Sequence, residues 1–101
     1  MATVPKMEIS VSLEARGSVL LFAKEMERVL KENDEEKGEF GWEFSSIFDL
    51  VDQLVTEHKE AIGSFCNCDP ESLKKEVIDI ANFCMMIWDN LDRRDRQQQT
   101  P

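Results

Sequence analysis

Apolar side chains recur at the spacing of one helix face in three segments of the chain, and no segment alternates like a strand. The first segment carries Leu13, Val19, Leu20, Phe22, Ala23, Met26, Val29 and Leu30. Ser10 or Ser12 can cap this helix, but Gly17 weakens its first turn, so a firm start is expected at Ser18. The charged stretch KENDEEKGEFGW, residues 31–42, predicts a loop.

The second helix has a clear start signal, since Ser45 or Ser46 can cap it. It is predicted to end near residues 63–65, where its apolar periodicity stops. Its apolar stripe consists of Ile47, Leu50, Val51, Leu54, Ala61 and Ile62.

The third helix is predicted to start at Asp69, a capping side chain followed by Pro70 at the first helical position. It runs to about Arg93. Residues 1–9 contain no helical period and are predicted to be an N-terminal arm, and the polar residues 95–101 are predicted to be a frayed tail. The fold class is therefore all-α.

The third helix is apolar on nearly its whole circumference from Val77 to Trp88, where Asp79 and Asn82 are the polar exceptions. A helix of that kind belongs at the centre of a bundle. Because three helices of one chain cannot easily surround it, we expect an antiparallel helical bundle completed by oligomerisation. A homodimer or homotetramer would bury part of Phe83, Met86, Ile87 and Trp88. The alternative is that the first helix and the N-terminal arm cover the third helix alone.

Length and charge restrict the function classes. The chain of 101 residues fits one domain, residues 1–101, with one modest core. A formal net charge of −9 without long basic stretches argues against a nucleic-acid partner, and an anionic small molecule would need bridging metal ions. The apolar run 83–88 is far shorter than the ~20 residues that span a bilayer. The first ten residues have no apolar signal core, so we expect no membrane partner and a cytoplasmic location.

The odd number of cysteines and the lack of a recognisable secretion signal argue against a disulfide framework. Cys84 is expected to be a small core residue of the third helix. Cys66 and Cys68 could join His58 in a zinc site, but this spacing matches no common zinc motif. Two loop thiols without metal are the favoured interpretation.

Two pairs of acidic residues carry the candidate chemistry. Glu57 and Glu60 are three residues apart on the second helix, as are Glu76 and Asp79 on the third, so each pair shares one helix face. A tight antiparallel hairpin would bring the four carboxylates together. Buried anions cost several kcal/mol unless they are protonated or bind cations, and an all-oxygen site suits Mg²⁺ or Mn²⁺. Two alternatives stay open: the pairs are solvated surface acids, or Asp79 pairs with Lys75.

The pattern E-x-x-E, fifteen intervening residues and E-x-x-D resembles the signature of the MazG-like all-α nucleotide pyrophosphohydrolases. The resemblance covers roughly residues 18–92, including the loop before the first acid pair and the third helix, EVIDIANFCMMIWDN. Two features differ from the family pattern. His58 and Lys59 stand between the glutamates where many relatives have further acid, and little sequence follows the third helix, where relatives often have another.

The resemblance implies Mg²⁺-dependent hydrolysis of a nucleoside triphosphate, ribo or deoxyribo, to the monophosphate and pyrophosphate. It assigns Glu57, Glu60, Glu76 and Asp79 as metal ligands, with Mn²⁺ as a possible substitute ion. Metal ions neutralise a phosphate chain and activate water for attack on phosphorus. Glu57 or Glu60 is the candidate acceptor of the water's proton.

Three further residues are candidate substrate contacts. Asn82 lies one turn after Asp79 and is either a ligand to a sugar hydroxyl or a core amide bonded to backbone. Trp42 either stacks on the base or covers the core, and Lys37 either reaches a phosphate or is an ordinary surface charge. The competing function from another class is a catalytically silent helical module that dimerises or regulates through the third helix.

Overall fold

The computed structural model describes residues 14–37 and 41–99, which form three helices. We number them α1, Gly17–Lys37; α2, Ile47–Cys66; and α3, Pro70–Gln99, with a short 3₁₀ helix, Trp42–Phe44, before α2. No strand occurs in these two ranges, which confirms the predicted all-α class. None of the helices in the described part of the chain is long and apolar enough to cross a membrane. The predicted arm, residues 1–9, and the candidate caps Ser10 and Ser12 lie outside the described residues.

The end of α1 differs from the sequence-based expectation. The helix continues through Lys31 to Lys37, where a loop was predicted. Lysine and glutamate are good helix formers, and charge pairs one turn apart add a few tenths of a kcal/mol each. Arg28 makes two such pairs, with Glu25 at 2.7 Å and with Glu32 at 2.5 Å. These local terms carry the helix through the charged segment.

The starts of α2 and α3 agree with the predicted caps. Ser46 Oγ accepts a hydrogen bond from the backbone N–H of Asp49 at 3.0 Å. Asp69 Oδ1 accepts one from the backbone N–H of Ser72 at 3.1 Å, and Pro70 is the first residue of α3. These side chains satisfy backbone donors that have no partner within the helix.

Replacing Ser46 with alanine is expected to lower the free energy of unfolding by about 1 kcal/mol, because one N–H group of α2 loses its cap. In a domain of this size such a loss lowers the melting temperature by about 4–8 °C. Ser45→Ala is the matched control, since the cap bond belongs to the Ser46 side chain. Equal melting temperatures for the two variants would show that the cap does not stabilise the fold.

The C-terminal end of α3 lies beyond the predicted end at Arg93. The helix continues to Gln99, so most of the segment expected to fray is helical. Ion pairs one turn apart support this extension, with Arg93 3.2 Å from Asp89 and Arg96 3.1 Å from Asp92. The prediction overlooked this charge pattern, which favours helix as strongly as the polar composition favours a tail.

The core is small and centred on α3. This helix packs against both α2 and α1, and more extensively against α2. Leu50, Ala61 and Ile78 are the buried apolar residues, and they are joined by the buried amides of Asn82 and Asn90. The molecule is elongated, with extents of 52 × 33 × 25 Å, so much apolar surface stays exposed.

Several residues expected in the core are exposed. Cys84 was predicted to be a core residue, and this is wrong, because its side chain lies on an open face of α3. Val51 and Ile62 belong to the predicted stripe of α2 but are also exposed. With only two neighbouring helices, α3 cannot cover every apolar position. Trp88 is 65% exposed, so the predicted role of this helix in oligomerisation stays a prediction.

Candidate functional site

The hairpin formed by α2 and α3 aligns the two acid pairs. The turn between the helices contains Cys68, whose φ of 55° lies in the left-handed region and reverses the chain. Glu57 and Asp79 are each eleven residues from Cys68, and Glu60 and Glu76 are each eight residues from it. In an antiparallel pair, residues equally far from the turn lie at the same level. The local sequence therefore places two pairs of carboxylates opposite each other.

The charges of these side chains influence one another across the helix pair. The pKa of Glu57 is raised from its ordinary 4.5 to about 7, chiefly by burial and further by the charges of Glu60, Asp79 and Glu76 and a hydrogen bond with Glu60. The pKa of Asp79 is also raised, mainly by burial. Lys75 opposes this shift, while Glu60 and Glu76 add to it. We call Glu57, Glu60, Glu76 and Asp79 the acid cluster.

Two carboxylate oxygens of the acid cluster are buried without a hydrogen-bond partner. They are Glu57 Oε2 and Glu76 Oε2, one from each helix. An unpartnered buried carboxylate oxygen costs free energy that a proton or a cation can offset. The donor set consists of oxygen atoms alone, which fits Mg²⁺ or Mn²⁺.

The acid cluster is not drawn together into a coordination sphere. Within residues 14–37 and 41–99, no three His, Cys, Asp or Glu side chains are grouped closely enough to hold a metal ion. Mutual repulsion among four anions opposes such an approach until a cation compensates for it. The chemistry of the donors and the two unpartnered oxygens thus fit a divalent ion, and the metal role of the four residues stays a prediction.

Lys75 lies near Asp79 without neutralising it. Its charge lowers the pKa of Asp79, but burial has the larger effect and the net shift is upward. No ion pair within 4.0 Å joins the two side chains among the described ion pairs. The alternative in which Lys75 fully compensates Asp79 is therefore the weaker interpretation.

Asn82 connects α3 to α1 and leaves one atom unpartnered. Its side chain is buried, and its Nδ2 donates to the backbone carbonyl of Met26 at 3.3 Å. Its Oδ1 is buried without a hydrogen-bond partner. The core-amide interpretation accounts for the Nδ2 group, and the buried Oδ1 atom is left without a donor.

Trp42 is held against α3 at a point well beyond the acid cluster. Its Nε1 donates to Asp89 Oδ2 at 3.0 Å, and its backbone carbonyl accepts from Asn90 Nδ2 at 3.2 Å. Asp89 is ten residues beyond Asp79, which is about 15 Å along a helix axis. This contact matches the alternative in which Trp42 covers the core. The side chain of Lys37 lies outside the described part of the chain.

The polar network that anchors Trp42 was not predicted from the sequence. Arg93 contacts both Asp89 and Asn90, and it is spaced four and three residues from them. That spacing is the one available signal, since it places the three side chains on one helix face. Their tie to Trp42 spans nearly fifty residues and depends on the tertiary structure.

A cavity of about 810 Å³ lies between α1 and α3. Its apolar lining comes from Leu21, Phe22 and Val77, and its charged lining includes Arg28 and Lys75. None of the four residues of the acid cluster lines it. The cleft next to α1 and the acid cluster are therefore separate features of the surface.

Comparisons with known proteins show that the chain is similar to an archaeal protein. It is 30% identical over 71 residues to an uncharacterized protein of Archaeoglobus fulgidus, which covers 70% of this chain and 73% of the archaeal protein. No known family profile matches the chain. No solved structure matches it either.

Proposed function

We propose that this chain, which belongs to the same family as the Archaeoglobus fulgidus protein, is a Mg²⁺-dependent nucleoside triphosphate pyrophosphohydrolase of the MazG-like type. The reaction adds water to a nucleoside triphosphate, breaks the bond between the α and β phosphates, and releases the nucleoside monophosphate and pyrophosphate. A role in removing unwanted nucleotides from the cytoplasmic pool would suit this chemistry.

The main observation that supports this proposal is that the two acid pairs face each other across the α2–α3 hairpin. Glu57 and Glu76 each keep a buried oxygen without a partner, and Asp79 is desolvated among apolar neighbours. A purely structural helix pair gains nothing from such a cluster, because like charges repel and each carboxylate loses water. A divalent cation removes both penalties.

The residues of the acid cluster have two proposed roles, metal binding and proton transfer. Glu57, Glu60, Glu76 and Asp79 would hold Mg²⁺ or Mn²⁺. When bound, the ion neutralises the phosphate chain and activates water. Glu57 or Glu60 would take the water's proton, and Glu60 is the more exposed of the two, so it exchanges protons with solvent more readily.

Asn82, Trp42 and Lys37 are the proposed substrate contacts. Asn82 Oδ1 would accept a hydrogen bond from a sugar hydroxyl. Stacking of Trp42 on the base and contact of Lys37 with a phosphate are predictions from the sequence. A homodimer or homotetramer is part of the proposal, because Trp88 is exposed while Phe83, Met86 and Ile87 are half-buried on α3.

A catalytically silent helical module is the second candidate function. It is favoured by the absence of three grouped metal-ligating side chains among the described residues. Such a protein would use its exposed apolar surface to dimerise or to regulate another protein.

The proposed function is tested by incubating the protein with a panel of ribo- and deoxyribonucleoside triphosphates and measuring pyrophosphate release. We expect release from at least one substrate with Mg²⁺ and none with a chelator. Mg²⁺ alone should also raise the melting temperature, since a ligand at about 100 times its dissociation constant stabilises by roughly 2.7 kcal/mol. Neither release nor a thermal shift would favour the silent module.

A further inference from the structure

A row of exposed apolar side chains runs along α2 on a different face from the buried Leu50 and Ala61. Phe48 is 88% exposed and Phe65 is 71% exposed. Between them lie Val51, Val55 and Ile62, which are each more than two-fifths exposed. His58, also exposed, occupies the remaining position. We call Phe48, Val51, Val55, His58, Ile62 and Phe65 the α2 row.

The spacing of the α2 row is that of a coiled-coil seam. Successive members are separated by three, four, three, four and three residues, which keeps them on one stripe over about 26 Å of helix. A stripe this long and this apolar is normally covered in a stable protein. Within the described residues, α2 packs against α3 through its other face, so this stripe has no intramolecular cover.

The spacing of the α2 row is the same in both directions along the helix. Its midpoint falls between Thr56 and Glu57, and reversal about that point exchanges Phe48 with Phe65, Val51 with Ile62, and Val55 with His58. An interface around a two-fold axis requires a patch that is complementary to itself. Two copies of α2 in antiparallel orientation would therefore match phenylalanine with phenylalanine, Val51 with Ile62, and Val55 with the imidazole of His58.

The charges beside the α2 row fit the same orientation. Asp52 and Lys59 directly follow Val51 and His58, so both lie on the same flank of the row. In antiparallel pairing this flank meets its own counterpart, which brings Asp52 of one copy near Lys59 of the other, twice. Both side chains are exposed, and neither takes part in a described ion pair. Parallel pairing would instead place Asp52 and Lys59 beside the apolar Ile47 and Leu54.

We propose that the α2 row is a homodimer interface in which a second copy of the chain packs its α2 antiparallel to the first. The occupant is a second copy because the row and its charges are complementary to themselves. The pairing does not depend on the proposed hydrolase activity, since the acid cluster lies towards α3. A separate two-fold contact through Trp88 on α3 would extend this dimer to a tetramer with D2 symmetry.

The interface is tested first by analytical ultracentrifugation of the full chain and of Val55→Glu. Val55 lies near the proposed axis, so each dimer would place two added carboxylates within the apolar seam, and we expect the dissociation constant to rise by about 100-fold or more. Leu21→Glu is the control, since Leu21 is also exposed, at 69% against 45% for Val55, but lies on α1. Circular dichroism checks that both variants keep their helices. A monomeric parent protein, or Val55→Glu with the parent's assembly state, would overturn the proposal.

A charge exchange tests the interface without adding charge to the apolar row. Lys59→Asp should weaken association, because it places like charges opposite each other, and the combination of Asp52→Lys with Lys59→Asp should restore it. This pair of variants keeps the test decisive if Val55→Glu fails to fold. A double variant that associates as weakly as Lys59→Asp would contradict the proposed pairing.

Cysteine cross-linking tests the orientation of the two helices. In a background with Cys66, Cys68 and Cys84 replaced by serine, Phe48→Cys and Phe65→Cys are prepared as separate proteins. Antiparallel pairing predicts a disulfide only when the two proteins are mixed, because position 48 of one copy faces position 65 of the other. Cross-links within each separate variant would indicate parallel helices and overturn the proposed geometry.

Discussion

Replacing Asp79 with asparagine is expected to stabilise the metal-free protein and to abolish its response to Mg²⁺. The substitution keeps the shape of the side chain but removes one desolvated charge from the acid cluster. Allowing for the partial exposure of Asp79 to solvent, relief of this unfavourable charge by about 1 kcal/mol would raise the melting temperature by about 4–8 °C in a domain of this size. A mutation that stabilises the protein while it removes function would mark Asp79 as a functional acid.

The same substitution should reduce Mg²⁺-dependent pyrophosphate release by about 100-fold or more. A bound metal ion contributes several kcal/mol to transition-state stabilisation, and each 1.36 kcal/mol corresponds to a tenfold change in rate. Asp95→Asn is the matched control, because it makes the same chemical change at an exposed position of α3. We expect this control to leave both the hydrolysis rate and the Mg²⁺ shift unchanged.

A different outcome is expected if Asp79 is instead the ion-pair partner of Lys75. The asparagine variant would then be slightly less stable than the parent protein, and Mg²⁺ would have no effect on either. Melting temperatures of the parent and Asp79→Asn, each with Mg²⁺ and with a chelator, distinguish the two cases. A destabilised variant with unchanged hydrolysis would show that the acid cluster is not a metal site.

The second large effect is a loss of stability of the metal-free protein as the pH rises. The pKa of Glu57 is raised to about 7 in the folded state, so the folded protein binds more protons than the unfolded chain between about pH 4.5 and pH 7. The free energy of unfolding therefore falls as the pH rises across this window, and the contribution of Glu57 is lost completely above it. One pKa unit corresponds to about 1.4 kcal/mol, and allowing for partial exposure to solvent we expect a loss of about 2 kcal/mol.

Thermal unfolding with a chelator at about pH 5 and about pH 7.5 measures this effect, which corresponds to roughly 10 °C. Glu57→Gln should flatten the dependence, because its amide does not titrate. Glu27→Gln, at an exposed position of α1, is the control for the general repulsion caused by the net charge of −9. A pH dependence that is identical in the parent and in Glu57→Gln would rule out Glu57 as its source.

Mg²⁺ should reverse the sign of the pH dependence. Metal binding requires deprotonated carboxylates, so its stabilising effect grows as the pH rises through the pKa of the acid cluster. With saturating Mg²⁺ the parent protein should be more stable at about pH 7.5 than at about pH 5. If stability falls with pH equally with and without Mg²⁺, the acid cluster does not bind the ion.

Local interactions made much of the fold predictable from the sequence. Ser46 caps α2 and Asp69 precedes Pro70 at the start of α3, and both signals act within three residues of the chain. The alignment of the two acid pairs also depends on a short part of the sequence, since a single turn at Cys68 brings Glu57 level with Asp79. The end of α1 was missed because the charged segment was taken as a loop, although its charge pairs favour helix.

By itself the sequence determined the helical class, the helix starts and the alignment of the two acid pairs, because capping, periodicity and a short turn depend on neighbouring residues. Only the tertiary structure decided which side of each apolar helix is covered. It left Cys84 exposed, bonded Asn82 to Met26, held Trp42 against Asp89 and left Phe48 and Phe65 open to solvent. Periodicity shows that a face is apolar, but the packing of distant segments decides whether that face meets its own chain or remains available to another.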